Sequence, residues 1–156
     1  MSILNEFLST AELDAGVKRA FTGGRLLRKL LPAGTELYKF TDRTISLSSD
    51  HISPWWSAVE PIAPGDTGLA ELGVRAERLN VLPKDFARAR SAVTKQWNPM
   101  SQLVLIRTTI PAFCFIGRCS AQLVDEKASH LRNVVFIGGA WQVYLPNLNR
   151  SHLQIL

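Results

Sequence analysis

Three stretches of this chain hold side chains whose types and spacing could do chemistry: Gly34-Thr-Glu-Leu-Tyr-Lys-Phe40, Ser53-Pro-Trp-Trp-Ser57 and Gly138-Gly-Ala-Trp-Gln-Val-Tyr-Leu-Pro146. In the first, an extended backbone turns Tyr38 and Phe40 one way and Lys39 the other. Lys39 is then either a lysine on the solvent face or a point charge with three donors, held at the lip of a cleft for a phosphate or carboxylate. In the second, Trp55 and Trp56 in a polar loop either plug the edge of the domain or form a stacking wall for a planar ring such as a nucleobase or nicotinamide. The flanking hydroxyls of Ser53 and Ser57 could cap a short helix or hold a ligand.

The third stretch sets two backbone-permissive glycines before an aromatic and an amide. They serve either a bulge or tight turn that bends a strand, or a close approach of a ligand to the backbone. Gln142 would then project from the final strand, its carboxamide able to hold a ribose hydroxyl or a nucleophilic water. A neutral glutamine is no general base, so chemistry there rests on positioning.

Other chemistries have less to build on. His51, His130 and His152 are scattered, with no metal-ligand spacing to each other or to a cysteine, so no metal site is expected. Cys114 and Cys119 sit in an apolar run and read as buried, reduced thiols pointing to opposite faces, which suits a cytoplasmic protein. The phosphate-binding P-loop, the Rossmann glycine fingerprint and the Gly-x-Ser-x-Gly elbow are all missing from the sequence.

The elements that must position these residues fit one α+β domain spanning 1–156, since a chain of 156 residues buries one real core. The first 31 residues read as helical, with Leu13, Val17, Ala20 and Phe21 on one stripe and Thr10 as cap. A strand is expected from Thr35 to Thr41, then a long irregular connection over 41–66. Asp66 or Thr67 caps a helix to about Leu79, and Pro83 opens another in which Phe86, Ala89, Val93 and Trp97 share a face, ending at Asn98-Pro99. Four short apolar runs follow, Leu103–Ile106, Phe113–Ile116, Val134–Ile137 and Trp141–Leu145. The expected fold is therefore N-terminal and central helices packed on a small, mainly antiparallel or mixed sheet formed largely by the C-terminal third.

Eighteen Lys and Arg against thirteen Asp and Glu give a net charge of +5, which favours an anionic partner. The densest basic segment, Arg25-Leu-Leu-Arg-Lys29, reads as a helix face resting on a core or as a patch for phosphate, nucleic acid or an acidic protein. No apolar stretch approaches the eighteen residues of a membrane-spanning helix, and no basic leader precedes an apolar segment. The expected location is cytoplasmic, with signal-free export into another cell left open.

The order of the three stretches resembles the ADP-ribosyltransferase-like group of bacterial toxin domains. Pro32-Ala-Gly-Thr-Glu-Leu-Tyr-Lys39 is similar to that family's first-strand motif, Ser53 to Ser57 to its middle serine with nearby aromatics, and Gln142 to its late-strand Glu or Gln. Lys39 stands where the family usually has Arg, and Gln142 where the transferases have a catalytic Glu, so the resemblance implies NAD binding with slow NAD glycohydrolysis as much as transfer. It further implies NAD as substrate in a cleft between helices and sheet: Lys39, beside Tyr38, on the pyrophosphate, Trp55 or Trp56 stacked on nicotinamide or adenine, Ser53, with Ser57 nearby, on ribose, and Gln142 orienting water or the acceptor. Lys39 and Gln142 would be the catalytic pair. The competing class is a non-enzymatic inhibitor or adaptor using the basic segment and the tryptophans as anchors, and a nucleic-acid-binding domain is the third.

Overall fold

The computed structural model describes residues 2–41, 52–91, 102–123, 135–136 and 138–156. Its centre is a seven-stranded antiparallel sheet in the order β1-β5-β8-β3-β2-β4-β9, with β6 and β7 forming a separate two-stranded ladder. The strands are β1 (Leu27–Leu31), β2 (Glu36–Thr41), β3 (Trp55–Ala58), β4 (Gln102–Thr108), β5 (Ala112–Arg118), β6 (Gln122–Leu123), β7 (Val135–Phe136), β8 (Trp141–Tyr144) and β9 (Leu153–Ile155). Among the described residues the α-helices are α1 (Ala15–Arg19), α2 (Gly68–Arg78) and α3 (Pro83–Ser91), all from the first two-thirds of the chain. The α+β class holds, but the sheet is not confined to the C-terminal third, because β1, β2 and β3 all come from the first 58 residues.

The N-terminal expectation needs correction. Residues before Pro32 do not form one helix; they make a 3-10 turn at Thr10–Glu12, the five-residue α1, a second 3-10 turn at Thr22–Gly24 and then β1. Asp14, not Thr10, caps α1 by accepting from the Val17 amide at 2.9 Å. So short a helix gains little from its own hydrogen bonds. Residues 27–31 instead satisfy their backbone against β5, with Leu27 opposite Ile116 and Leu31 opposite Ala112. Leu13 and Phe21 still point inward as the stripe demanded.

A second correction concerns 41–66. Trp55–Ala58 is a strand at the middle of the sheet, hydrogen-bonded to β2 on one side and β8 on the other. Residues 42–51 of that stretch, with His51, lie outside the described residues, as do His130, Val93, Trp97 and the Asn98-Pro99 stop. The helix expected from Thr67 is α2, with Thr67 at its N-cap, and Pro83 opens α3 as the sequence suggested. The unforeseen β9 extends β4, pairing Leu153 with Thr108.

Strand alternation divides the core. On one sheet face Leu37, Trp56, Ala58, Ile106, Cys114, Ile116 and Val143 form the main apolar cluster. On the other face Tyr38 packs with Leu72 of α2 and Ala87 of α3, joined by Phe40, Leu69, Phe86 and Leu105. The N-terminal segment covers the β5–β8–β3 part of this second face. Gly117 permits it, since a Cβ there would stand 2.5 Å from the Phe21 ring.

Candidate functional site

The three strands that carry the three polar and aromatic stretches are adjacent in the sheet, in the order β8-β3-β2. Convergence therefore follows from topology. Which side chains meet is decided by strand parity, because neighbouring residues point to opposite faces.

Lys39 lies on the main-core face. The β2–β3 register brings it beside Trp56, with Nζ 4.4 Å from the indole centroid. Burial pulls the Lys39 ammonium down to about 8, because taking a charge from water disfavours its protonated form. Trp56 itself is 2% exposed, and its Nε1 donates to the Ser53 carbonyl at 2.9 Å. Trp56 is thus a core plug whose polar edge is satisfied by its own turn.

Trp55 points the other way. Its ring lies 4.7 Å from that of Tyr144 and 5.8 Å from that of Phe21. Gln142 shares this second face, and its Nε2 donates to the Ala20 carbonyl at 2.9 Å, fastening the N-terminal segment to β8. The two tryptophans consequently do not form one wall, and Lys39 and Gln142 stand on opposite faces of the sheet. The exposed Ser53 precedes β3 and contributes its carbonyl to Trp56.

A small cleft opens on the second face, lined by Tyr38 and Ser57 from β2 and β3, by the Gly65–Gly68 turn, by Leu72, Phe86 and Arg90 of α2 and α3, and by Ala140 and Trp141 at the start of β8. Each of the three stretches contributes to it, through Tyr38, Ser57 and Trp141.

The polar groups of this cleft are fixed by their surroundings. The phenol of Tyr38 is pushed up to about 12, chiefly by burial, against a hydrogen bond from Ser57 and with the nearby negative charge of Asp66 adding to the rise. Asp66 is held by its own loop, Oδ2 accepting from the Ile62 amide at 3.0 Å while its backbone amide donates to Ala63 at 3.0 Å. The Ala140 amide donates to the Arg90 carbonyl at 3.0 Å and so ties the end of α3 to the start of β8. Trp141 is flanked by the Arg118 guanidinium 5.1 Å from its ring, and its buried Nε1 has no hydrogen-bond partner among the described residues. Gly138 serves the fold at this point: its φ is +66°, and a Cβ would meet the Cys119 carbonyl at 2.6 Å.

Asp66, Arg90 and Trp141 were missed by reasoning from sequence. Asp66 had been weighed only as a helix cap. Arg90 follows Phe86 by one helical turn, a spacing that sets both on one face of α3.

Much of the basic surface is used internally. Arg28 donates to the carbonyls of Asn5, Glu6 and Leu8 and lies 3.4 Å over Phe113, and Lys29 donates to the Ile62 carbonyl. Arg75 pairs with Glu71 and Arg107 with Glu36. The buried thiols of Cys114 and Cys119 are unbridged and pushed up to about 12 by desolvation. The one described histidine, His152, has its Nδ1 accepting from the Asn149 amide. Among the described residues no helix is long and apolar enough to cross a membrane, and no group of three His, Cys, Asp or Glu side chains could hold a metal ion.

No family model matches this sequence, and no curated protein matches it. Among the solved structures similar to it at low identity are two complexes. One is Tne2 in complex with Tni2, at 14% identity and a TM-score of 0.49 over 85% of this chain and 87% of that one. The other is Tse6 in complex with Tsi6, at 13% identity and a TM-score of 0.46 over 97% of this chain and 89% of that one.

Proposed function

We propose that the cleft over β2 and β3 binds NAD and that the protein cleaves it at the nicotinamide–ribose bond, as a glycohydrolase or ADP-ribosyltransferase-like domain. The observation that carries this reading is the meeting of Tyr38, Ser57 and Trp141 in one cleft with an acid, Asp66, and a cation, Arg90, close by. Those groups match the parts of such a substrate. Trp141 offers an aromatic surface at the cleft wall for a planar ring. Arg90 supplies a forked donor for phosphate oxygens, and Ser57 and Tyr38 supply hydroxyls for ribose.

In this reading Lys39 and Gln142 act indirectly. Lys39 shapes β2 from the opposite face through Trp56, and Gln142 fixes the N-terminal cover through Ala20. The test is direct: purified protein is incubated with NAD, free nicotinamide is followed by chromatography, and tryptophan fluorescence is followed in parallel. Nicotinamide release with quenching supports the reading; no release and no quenching removes it.

A second reading has its own observation. Leu79, Val81 and Leu82, at the turn between α2 and α3, are all exposed, an apolar patch suited to a protein partner. A non-catalytic binding module would show neither nicotinamide release nor salt-sensitive retention on nucleic acid.

A further inference from the structure

We propose that Asp66 is the catalytic carboxylate of the cleft, the group that faces the ribosyl carbon; this rests on the NAD reading above. Breaking the bond between ribose and a pyridinium leaves positive charge on the ribose, and a fixed carboxylate is the side chain that offsets it. Gln142 of β8 is neutral, and its amide is engaged by Ala20. Among the described residues that line the cleft, Asp66 alone carries a carboxyl group.

Its placement is that of a working group more than of a solvated surface acid. Oδ2 is anchored by the Ile62 amide, the Asp66 backbone is anchored by Ala63, and Thr67 starts α2 immediately after it. The loop therefore holds one carboxylate oxygen at the wall of the cleft, with the Ser57–Tyr38 hydroxyl pair near enough to feel its charge. Preorganisation of this kind is what makes electrostatic stabilisation effective.

The step balances with water as co-reactant. The C–N bond between ribose C1′ and the nicotinamide nitrogen breaks, and its electron pair goes to that nitrogen, giving neutral nicotinamide. A water oxygen then bonds to C1′, Asp66 takes the proton that this oxygen loses, and Asp66 releases it to solvent. The products are nicotinamide, ADP-ribose and one proton.

The test compares wild type with Asp66→Asn, which keeps an oxygen for the Ile62 amide. Nicotinamide release should fall by at least about 100-fold, while quenching by NAD and the melting temperature stay near wild type. Release at the wild-type rate in Asp66→Asn overturns the assignment and leaves the NAD cleft standing. A wild type that releases no nicotinamide overturns both, and Asp66→Glu with substantial activity would support the need for a carboxylate.

Discussion

Gln142 and Ala20 are joined by a 2.9 Å hydrogen bond across 122 residues of sequence. The bond closes the N-terminal segment over the sheet and uses the amide that the sequence had offered for chemistry. Gln142→Leu removes one of two donors to the Ala20 carbonyl, the Ser120 amide at 2.9 Å remaining, at a cost of about 0.5–1.5 kcal/mol. The expected result is a melting temperature lower by about 2–4 °C per kcal/mol, with nicotinamide release per folded molecule retained. Loss of release without loss of stability would return Gln142 to the reaction itself.

Trp56 and Trp55 should separate cleanly by substitution. Trp56→Ala removes a buried side chain from the main core and should cost about 3–5 kcal/mol. Trp55→Phe keeps an aromatic against Tyr144 and Phe21 and should fold normally. Denaturant midpoints measure both. Quenching by NAD should survive in Trp55→Phe and diminish in Trp141→Phe.

Lys39 gives a pH-dependent signature. Its folded-state value, about 8, is below the ordinary 10.5. Between those limits the unfolded chain holds a proton that the folded chain has lost, so this group's contribution to stability rises with pH across that window. Below about pH 8 the buried charge is present in full and its cost is constant. Lys39→Met should therefore melt higher than wild type at pH 7, and the difference should shrink from pH 8 to 10.5. A constant difference would show that Lys39 titrates normally.

The two thiols act in the opposite sense. Burial raises Cys114 and Cys119 from 9.0 to about 12, so the stabilisation they give is complete below pH 9 and is lost as pH climbs toward 12. A thiol-specific chromophoric reagent at pH 7.5 should find neither cysteine in the native protein and both after denaturation. Rapid native labelling would contradict their burial.

Much of the sheet was legible in the sequence because its apolar runs are short and continuous. β4, β5 and β8 each coincide with one of them, and the alternation of Tyr38, Lys39 and Phe40 in β2 gave the right faces. The helices α2 and α3 were marked by Thr67 and Pro83. What escaped notice is set by distant partners. β1 is a strand because β5 offers it a ladder, and β3 is a strand because β2 and β8 flank it; neither fact is written in Leu27–Leu31 or Trp55–Ala58.

The candidate site followed the same division. The three stretches were visible and their strands do meet; Tyr38 and Ser57, both named from the sequence, line the cleft, whereas Lys39 and Gln142 do not, and Trp141 stands there beside Gln142. A shift of one residue changes the face of a strand. Sequence alone marked β2 and β8 and not the strand β3 that joins them.

The most direct test of the cleft as an NAD-cleaving site is a time course of nicotinamide release from NAD by the wild-type protein beside Ser57→Trp, whose added indole fills the space between Tyr38 and the Gly65–Gly68 turn. The account predicts steady release by wild type and its abolition, with the fold preserved, in Ser57→Trp. Equal release by the two proteins, or none by either, would contradict it.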